Sequence, residues 1–433
     1  MTLKAKIENR SARIAVVGQG YVGLPLAVEF ARAGFHVTGI DIDGARVEAL
    51  ARGESHIPDV SSEDLRGLLA AGRYAASADS AALAGQDVVV LCVPTPLRKS
   101  KDPDVSHVVA AAGDVARHLA SGQLIVLEST TYPGTTEEVL LPLFEERGLK
   151  VGVDFHLAFS PERIDPGNPT WKVKEIPKLV GGVTPVCTEM AALLYRQVVA
   201  QLFELSSPRV AELAKLYENT FRSVNIALAN ELALICQHLG VNVWEVVEAA
   251  ATKPFGFMPF SPGPGIGGHC IPIDPFYLSW KARLNGYEAK FIGLADEINR
   301  TMPRYVVSLL TDALNVGGKP LKGARVLVLG VSYKREVGDT RESPALDIIE
   351  ELLRKGAHVQ YADPFVPTLT VHGRTFDSAQ LNRELLQWSD AALILTDHRA
   401  FDYATIVAES PLVVDTRNAT RGCAAPVGRI VRL

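Results

Sequence analysis

Apolar positions along the chain change period several times, and the changes predict an α/β protein. Short apolar runs at residues 13–17, 87–93 and 124–127 are continuous enough to be strands buried in a parallel sheet, and 36–40 reads as a further strand. An alanine-rich apolar run ending at Ala33 separates the first of these from residues 36–40 and reads as a helix. From Pro208 to Leu239 the period changes, with Val210, Leu213, Ala214, Leu216, Tyr217, Phe221 and Val224 at helical spacing and no glycine before Gly240. One helix of about 30 residues spans roughly 45 Å, long enough to link two domains. A second α/β unit starts near Leu321. Its strands fall at 325–330, 358–361, 391–395 and 412–415, and Ser343-Pro344 caps a helix striped by Leu346, Ile349, Leu352 and Leu353. The expected division is residues 1–207, a central helical domain at 208–310, and 311–433.

The turn after the first run carries chemistry. Gly18-Gln19-Gly20-Tyr21-Val22-Gly23 lies between strand and helix. There Gly18 allows the tight turn, Gly20 admits a pyrophosphate to the backbone, and Gly23 permits close helix packing, with Tyr21 and Val22 in the same loop. Asp41, at the end of the next strand, suits an adenosine ribose, so the unit reads as a Rossmann domain for NAD. Arg46 leaves a 2′-phosphate open. Ligands gather at the carboxyl ends of such strands, so Pro94-Thr95-Pro96 and Glu128-Ser129-Thr130-Thr131 are expected to line the cofactor crevice. As ligands the candidates are Thr95 and Thr130; local capping is the competing reading.

Gly263-Pro264-Gly265-Ile266-Gly267-Gly268-His269-Cys270 ends in a thiol, and Asp274 follows four residues later. Glycine lets backbone approach a ligand, and a thiolate there can attack a carbonyl carbon. The alternative is a turn beside an inert buried cysteine. A helix expected at 275–284 would direct its positive end toward the thiol. Lys215 and Asn219 lie four apart on the long helix, so they either converge on one oxygen atom or form a solvated surface pair. Lys334, Arg335, Arg341 and Arg417 fall at strand ends or loops, where basic groups suit phosphate or stay solvated.

Composition narrows the partners. The 433 residues are 47% hydrophobic and 21% charged, and the formal charge of −5 provides no footprint for nucleic acid. Five scattered cysteines without CxxC spacing argue against a disulfide framework and against a zinc site, so no metal is expected. Neither a secretory leader nor a ~20-residue apolar span is evident, which predicts a cytoplasmic protein without a membrane partner.

The glycine loop, the middle segment Ala214-Lys215-Leu216-Tyr217-Glu218-Asn219-Thr220, the Gly267-Gly268-His269-Cys270 loop and the block Phe159-Ser160-Pro161-Glu162-Arg163 together resemble the UDP-glucose/UDP-N-acetylmannosamine dehydrogenase family. The resemblance covers essentially the whole chain and is nearest the branch acting on UDP-N-acetylglucosamine. It implies N-terminal Rossmann and C-terminal Rossmann-like domains joined by the long helix. It further implies NAD on Gly18, Gly20, Tyr21, Val22, Gly23, Asp41, Arg46, Thr95 and Thr130, with Arg341 reaching cofactor across a subunit boundary. Cys270 becomes the nucleophile, accompanied by Lys215, Asn219, Asp274 and Glu162. A UDP-sugar would contact Glu162, Arg163, Lys215, Asn219, Phe260, Ser261, Gly263, Gly267, Lys334 and Arg417. Asp165 stands where the UDP-glucose branch more often has glutamate, and no role is assigned to it. A homodimer through the long helix, or a higher homo-oligomer, is implied. The mannosamine, galactosamine and glucose substrates, a two-electron hydroxyacid-type dehydrogenase and a non-catalytic NAD-binding protein remain the alternatives.

Overall fold

Eight strands form the larger sheet of the structure, a computed structural model that describes residues 1–164, 173–424 and 429–433. They are β1 Arg13–Val17, β2 His36–Ile40, β3 Tyr74–Ser77, β4 Val88–Leu91, β5 Leu124–Leu127, β6 His156–Phe159, β7 Lys178–Gly182 and β8 Leu202–Leu205. Their order is β3-β2-β1-β4-β5-β6-β7-β8. Every pairing is parallel except β6 with β7. In β4, Val88 and Val90 enter one core and Val89 and Leu91 the other, which is why the run is apolar without alternation. The helix Gly23–Arg32 closes the first core, and Ser106–His118, through Val108, Ala112 and Val115, closes the second.

The apolar pattern reveals β1, β2, β4 and β5 but hides the other four. β3 is a half-buried Tyr-Ala-Ala-Ser, β7 begins with a lysine and ends in two glycines, and β8 exposes Phe203.

The chain divides into two compact units, Met1–Glu218 with Phe276–Tyr287, and Asn219–Pro275 with Glu288–Leu433. In the second, β9 Arg325–Leu329, β10 His358–Ala362, β13 Ala391–Ile394, β14 Val413–Asp415 and β15 Ile430–Arg432 make a wholly parallel sheet in the order β10-β9-β13-β14-β15. A hairpin, β11 Thr368–Val371 and β12 Arg374–Asp377, stands beside it. Val306 and Leu310 of the helix Lys290–Val316 pack with Val326, Val328, Ile348 and Leu352. Ser343 caps Pro344–Arg354 as expected, its side chain accepting from the Ala345 amide. The helix Pro208–Leu239 runs 32 residues without interruption. Among the described residues no helix is long and apolar enough to cross a membrane.

Candidate active site

Turn geometry at the end of β1 is set by contacts that exclude a side chain. Gly18 sits at φ +90°, and a Cβ on it would lie 2.3 Å from the Cys92 carbonyl oxygen. A Cβ on Gly23 would lie 1.8 Å from the Gly18 carbonyl oxygen. Gly20 differs, because a Cβ there meets nothing within 4 Å. Its neighbourhood is the open one, where the fold class places a pyrophosphate. Tyr21 is partly exposed beside it.

Asp41 ends β2 almost fully buried, one oxygen accepting from the Asp43 amide (3.0 Å) and the other from the Gln19 amide (2.8 Å) and Arg46 Nη1 (2.8 Å). Burial pushes this carboxyl upward, but the two amides and the guanidinium outweigh it and keep the pKa below its ordinary value. Arg46 is therefore engaged by Asp41, and the pair presents an ionised acceptor at the position suited to a ribose. These residues fit NAD. Thr95 and Thr130 follow β4 and β5, whose register with β1 (Val17 beside Leu91, Leu91 beside Leu127) brings both to the edge that carries the glycine loop.

Two expectations about that edge are corrected. Glu128 and Thr131 do not line a crevice: Glu128 is 1% exposed and Thr131 fully buried. Glu128 instead accepts from Lys178 Nζ (2.7 Å) and from the Tyr195 hydroxyl. Gln19, to which the sequence reading gave no role, donates its carboxamide to the Val16 carbonyl and accepts from the buried Tyr74 hydroxyl at 2.8 Å. A polar residue inside the glycine motif was its only sequence signal.

Glu162 and Arg163 follow β6. The Glu162 carboxylate accepts from the amides of Arg163 (2.6 Å) and Ile164 (2.7 Å) and, on its other oxygen, from Lys178 Nζ (3.1 Å). Arg163 spans Glu218 (2.8 Å) and the Pro177 carbonyl (2.6 Å). Lys215 is buried on the long helix. Asp165 lies outside the described residues.

In the second unit, Asn219 and Asp274 are both buried and joined, Asn219 Nδ2 donating to Asp274 Oδ2 at 2.6 Å. The helix expected at 275–284 begins one residue earlier, at Asp274, whose amide donates to the Cys270 carbonyl at 2.8 Å. A carboxylate in the first helical turn favours that start. Cys270 is exposed, whereas Cys92, Cys187 and Cys236 are buried and Cys423 is half-buried. Burial pushes the Cys92 thiol well up, so it stays protonated, while Cys270 is open to reagents.

The glycines before Cys270 serve packing. A Cβ on Gly267 would lie 2.7 Å from the Glu342 carbonyl oxygen, and one on Gly268 (φ +87°) 2.8 Å from the Tyr333 ring. The Gly268 amide donates to the Arg341 carbonyl at 3.1 Å. Arg341 itself pairs with Asp339 at 2.6 Å. Gly263 approaches Arg417 so closely that a Cβ would stand 2.8 Å from Nη1, and the Arg417 Nε donates to the Leu395 carbonyl. Burial pulls the Arg417 guanidinium below its usual pKa. Phe260 packs edge-on against Phe221, Ser261 is exposed, and Lys334 follows β9.

Asn230 went unnoticed in the sequence. Fully buried, it accepts from the Gly263 amide (2.9 Å) and donates to Asn299 (2.9 Å), which donates to the Ser223 carbonyl (3.2 Å).

At the end of β10, Asp363 mirrors Asp41, but its carboxylate is used up by Val331, Ser332, Phe365 and His398. That carboxylate is committed to the protein's own donors.

A dinucleotide loop on one mostly parallel sheet, with a separate α/β unit bearing an exposed thiol and basic loops, defines an NAD-dependent dehydrogenase with its own substrate-binding domain. The chain matches the UDP-glucose/GDP-mannose dehydrogenase family over all three of its domains: the NAD binding domain at residues 12–199, the central domain at 209–301 and the UDP binding domain at 327–422. It belongs to that family and is an NAD-dependent oxidoreductase of the UDP-sugar dehydrogenase class. It is 37% identical to the UDP-N-acetyl-D-mannosamine dehydrogenase of Pyrococcus horikoshii over 97% of this chain and 98% of that protein. It is 40% identical to the UDP-N-acetyl-D-glucosamine 6-dehydrogenase of Pseudomonas aeruginosa over 82% and 84%. A solved structure of the UDP-D-ManNAc dehydrogenase from Pyrococcus horikoshii superposes with a TM-score of 0.88 at 36% identity, covering 97% of this chain and 98% of that one.

Proposed function

We propose that the protein oxidises the C6 primary alcohol of UDP-N-acetylglucosamine to the uronic acid, through a thiohemiacetal and a thioester on Cys270, as a step toward surface polysaccharide. The observation that carries this reading is the exposed Cys270 four residues before Asp274, which is held by Asn219. A simple alcohol oxidation needs no such thiol.

When bound, NAD accepts hydride, once in each of two oxidations. Gly18, Gly20, Tyr21, Val22 and Gly23 hold its pyrophosphate, Asp41 with Arg46 its ribose, Thr95 and Thr130 border it, and Arg341 reaches it from a neighbouring subunit. Lys334, Arg417, Arg163, Gly267 and the 260–263 loop hold the UDP-sugar. Lys215 and Asp274 polarise a water that takes the C6 hydroxyl proton. The Cys270 thiolate then bonds to the aldehyde carbon while the carbonyl oxygen takes up a proton, with Asn219 and Lys215 donating to that oxygen. After the second oxidation, water adds to the thioester carbon, Glu162 takes its proton, and the carbon–sulfur bond breaks to return the thiolate.

The test is NADH counted per sugar consumed, with UDP-N-acetylglucosamine, its manno and galacto isomers and UDP-glucose compared. Two NADH, fastest with the first, is the expected result. One NADH per sugar, or full uronate yield at native speed from Cys270→Ala, would sink the mechanism. Fastest turnover of the manno isomer would transfer the same mechanism to that sugar, for which the Pyrococcus horikoshii relative is named.

We further propose a cytoplasmic homodimer built on the long helix. Tyr217 (65% exposed), Leu228 (62%) and Leu239 (70%) leave apolar surface along it uncovered. A monomer by light scattering at micromolar concentration would refute the dimer.

A further inference from the structure

Behind Glu162 lies a buried charge cluster that the reaction as described does not use. Lys178, the first residue of β7, is 6% exposed, and its ammonium donates to Glu128 at 2.7 Å and to Glu162 at 3.1 Å. The Tyr195 hydroxyl, also buried, donates to the second Glu128 oxygen, and the ammonium lies 5.2 Å from the Tyr195 ring centroid. The other Glu162 oxygen is taken by two backbone amides, and among the described residues Lys178 meets the remaining one.

Two carboxylates thus share one cation in a place water barely reaches. Among the described residues, the titratable groups facing Glu128 are Lys178, Glu162, Tyr195 and the buried Cys92 thiol. Burial keeps Cys92 and Tyr195 protonated, and the two carboxylates hold Lys178 charged despite its burial. Burial lifts Glu128 to about 7, against the opposing pull of Lys178.

We propose that Glu128 and Lys178 are positioning residues that set the basicity of Glu162. With Glu128 protonated, the Lys178 charge falls wholly on Glu162 and weakens it as a base. With Glu128 ionised, the ammonium is shared, and Glu162 accepts a proton more readily. Thioester hydrolysis therefore speeds up as pH rises through neutrality, because a group that never touches the sugar loses its proton. The inference rests on the reading of Glu162 as the base of that step.

The experiment follows decay of the acyl adduct on Cys270 by intact-protein mass after rapid mixing with NAD and UDP-sugar, from pH 6 to about 9, bracketing the window that Glu128 would govern. Glu128→Gln keeps an oxygen for Lys178, and its amide can donate to the Tyr195 oxygen. In that variant the neutral limb should vanish and decay at high pH should slow about three- to tenfold, because the Lys178 ammonium no longer divides between two carboxylates. Tyr195→Phe removes a donor to the Glu128 anion, so its limb should move to higher pH. The first NADH should form at the native rate in both, which a merely damaged fold would not allow.

Native pH profiles in both variants would overturn the proposal, and if Glu128→Gln fails to fold, Tyr195→Phe decides alone. Native decay in Glu162→Gln would instead remove Glu162 from the mechanism, a different failure seen in a different protein.

Discussion

Replacing Asn230 with alanine tests whether a buried carboxamide chain, rather than the glycines themselves, holds the proposed sugar-binding loop. Asn230 is fully buried, and truncation leaves the Gly263 amide and the Asn299 carboxamide oxygen without their partners at 2.9 Å each. An orphaned buried polar group costs ~1–3 kcal/mol, so the two together cost about 2–6 kcal/mol. The helix Pro208–Leu239 keeps its own backbone bonds, so the 260–263 segment is what gives way. Two assays read this. Urea unfolding should show the stability loss, and KM for UDP-sugar should rise at least tenfold, since ~1.4 kcal/mol suffices for that. The KM for NAD should stay put, because the glycine loop belongs to the other unit. Asn230→Asp sharpens the test. It preserves an acceptor for Gly263 but sets a buried carboxylate oxygen against the Asn299 oxygen. Its protonated form can donate there, so stability and sugar affinity should recover as pH falls. A loss below ~0.5 kcal/mol in Asn230→Ala, with KM for the sugar unchanged, would refute the reasoning.

Gly20→Ala should fold with native thermal stability, since nothing lies within 4 Å of the added Cβ, yet bind NAD more weakly by calorimetry. Gly23→Ala should lose stability as well, because its Cβ would sit 1.8 Å from the Gly18 oxygen. Equal effects in the two variants would contradict the division of labour between these glycines. Asp41 has a folded pKa below its unfolded value, so its stabilising contribution is complete above the unfolded pKa of ~3.9 and disappears as pH falls through the folded one. The stability gap between wild type and Asp41→Asn should therefore be widest near neutrality and close on acidification in denaturant titrations; a gap that widens in acid would reverse the assignment. Tyr74→Phe leaves the buried Gln19 carboxamide oxygen without its donor and should cost ~1–3 kcal/mol. Unchanged unfolding would mean that the carboxamide finds another partner.

Local patterns were enough for the strands at 13–17, 88–91 and 124–127, the helix Pro208–Leu239, the glycine turn and the acid at Asp41. Each of these depends on neighbours within one turn or one strand: a continuous apolar run, a helical period, a φ that only glycine adopts readily. The pairing of Cys270 with a helix start at Asp274 is legible for the same reason. Partnerships between distant positions were not legible. Lys178 and Glu128 are 50 residues apart, and Asn230 and Asn299 are 69 apart. As isolated residues in a string, each looks like an ordinary polar side chain. Only the adjacency of strands and helices removes water from them, and once water is gone a charge or carboxamide must find a partner inside the protein. The same adjacency turned Glu128 from an expected crevice residue into a buried ion-pair partner, and made Gly267 and Gly268 a matter of fitting against Glu342 and Tyr333. Sequence alone determined which reactive and charged groups the chain carries. Tertiary structure decided which of those groups are held fast by one another.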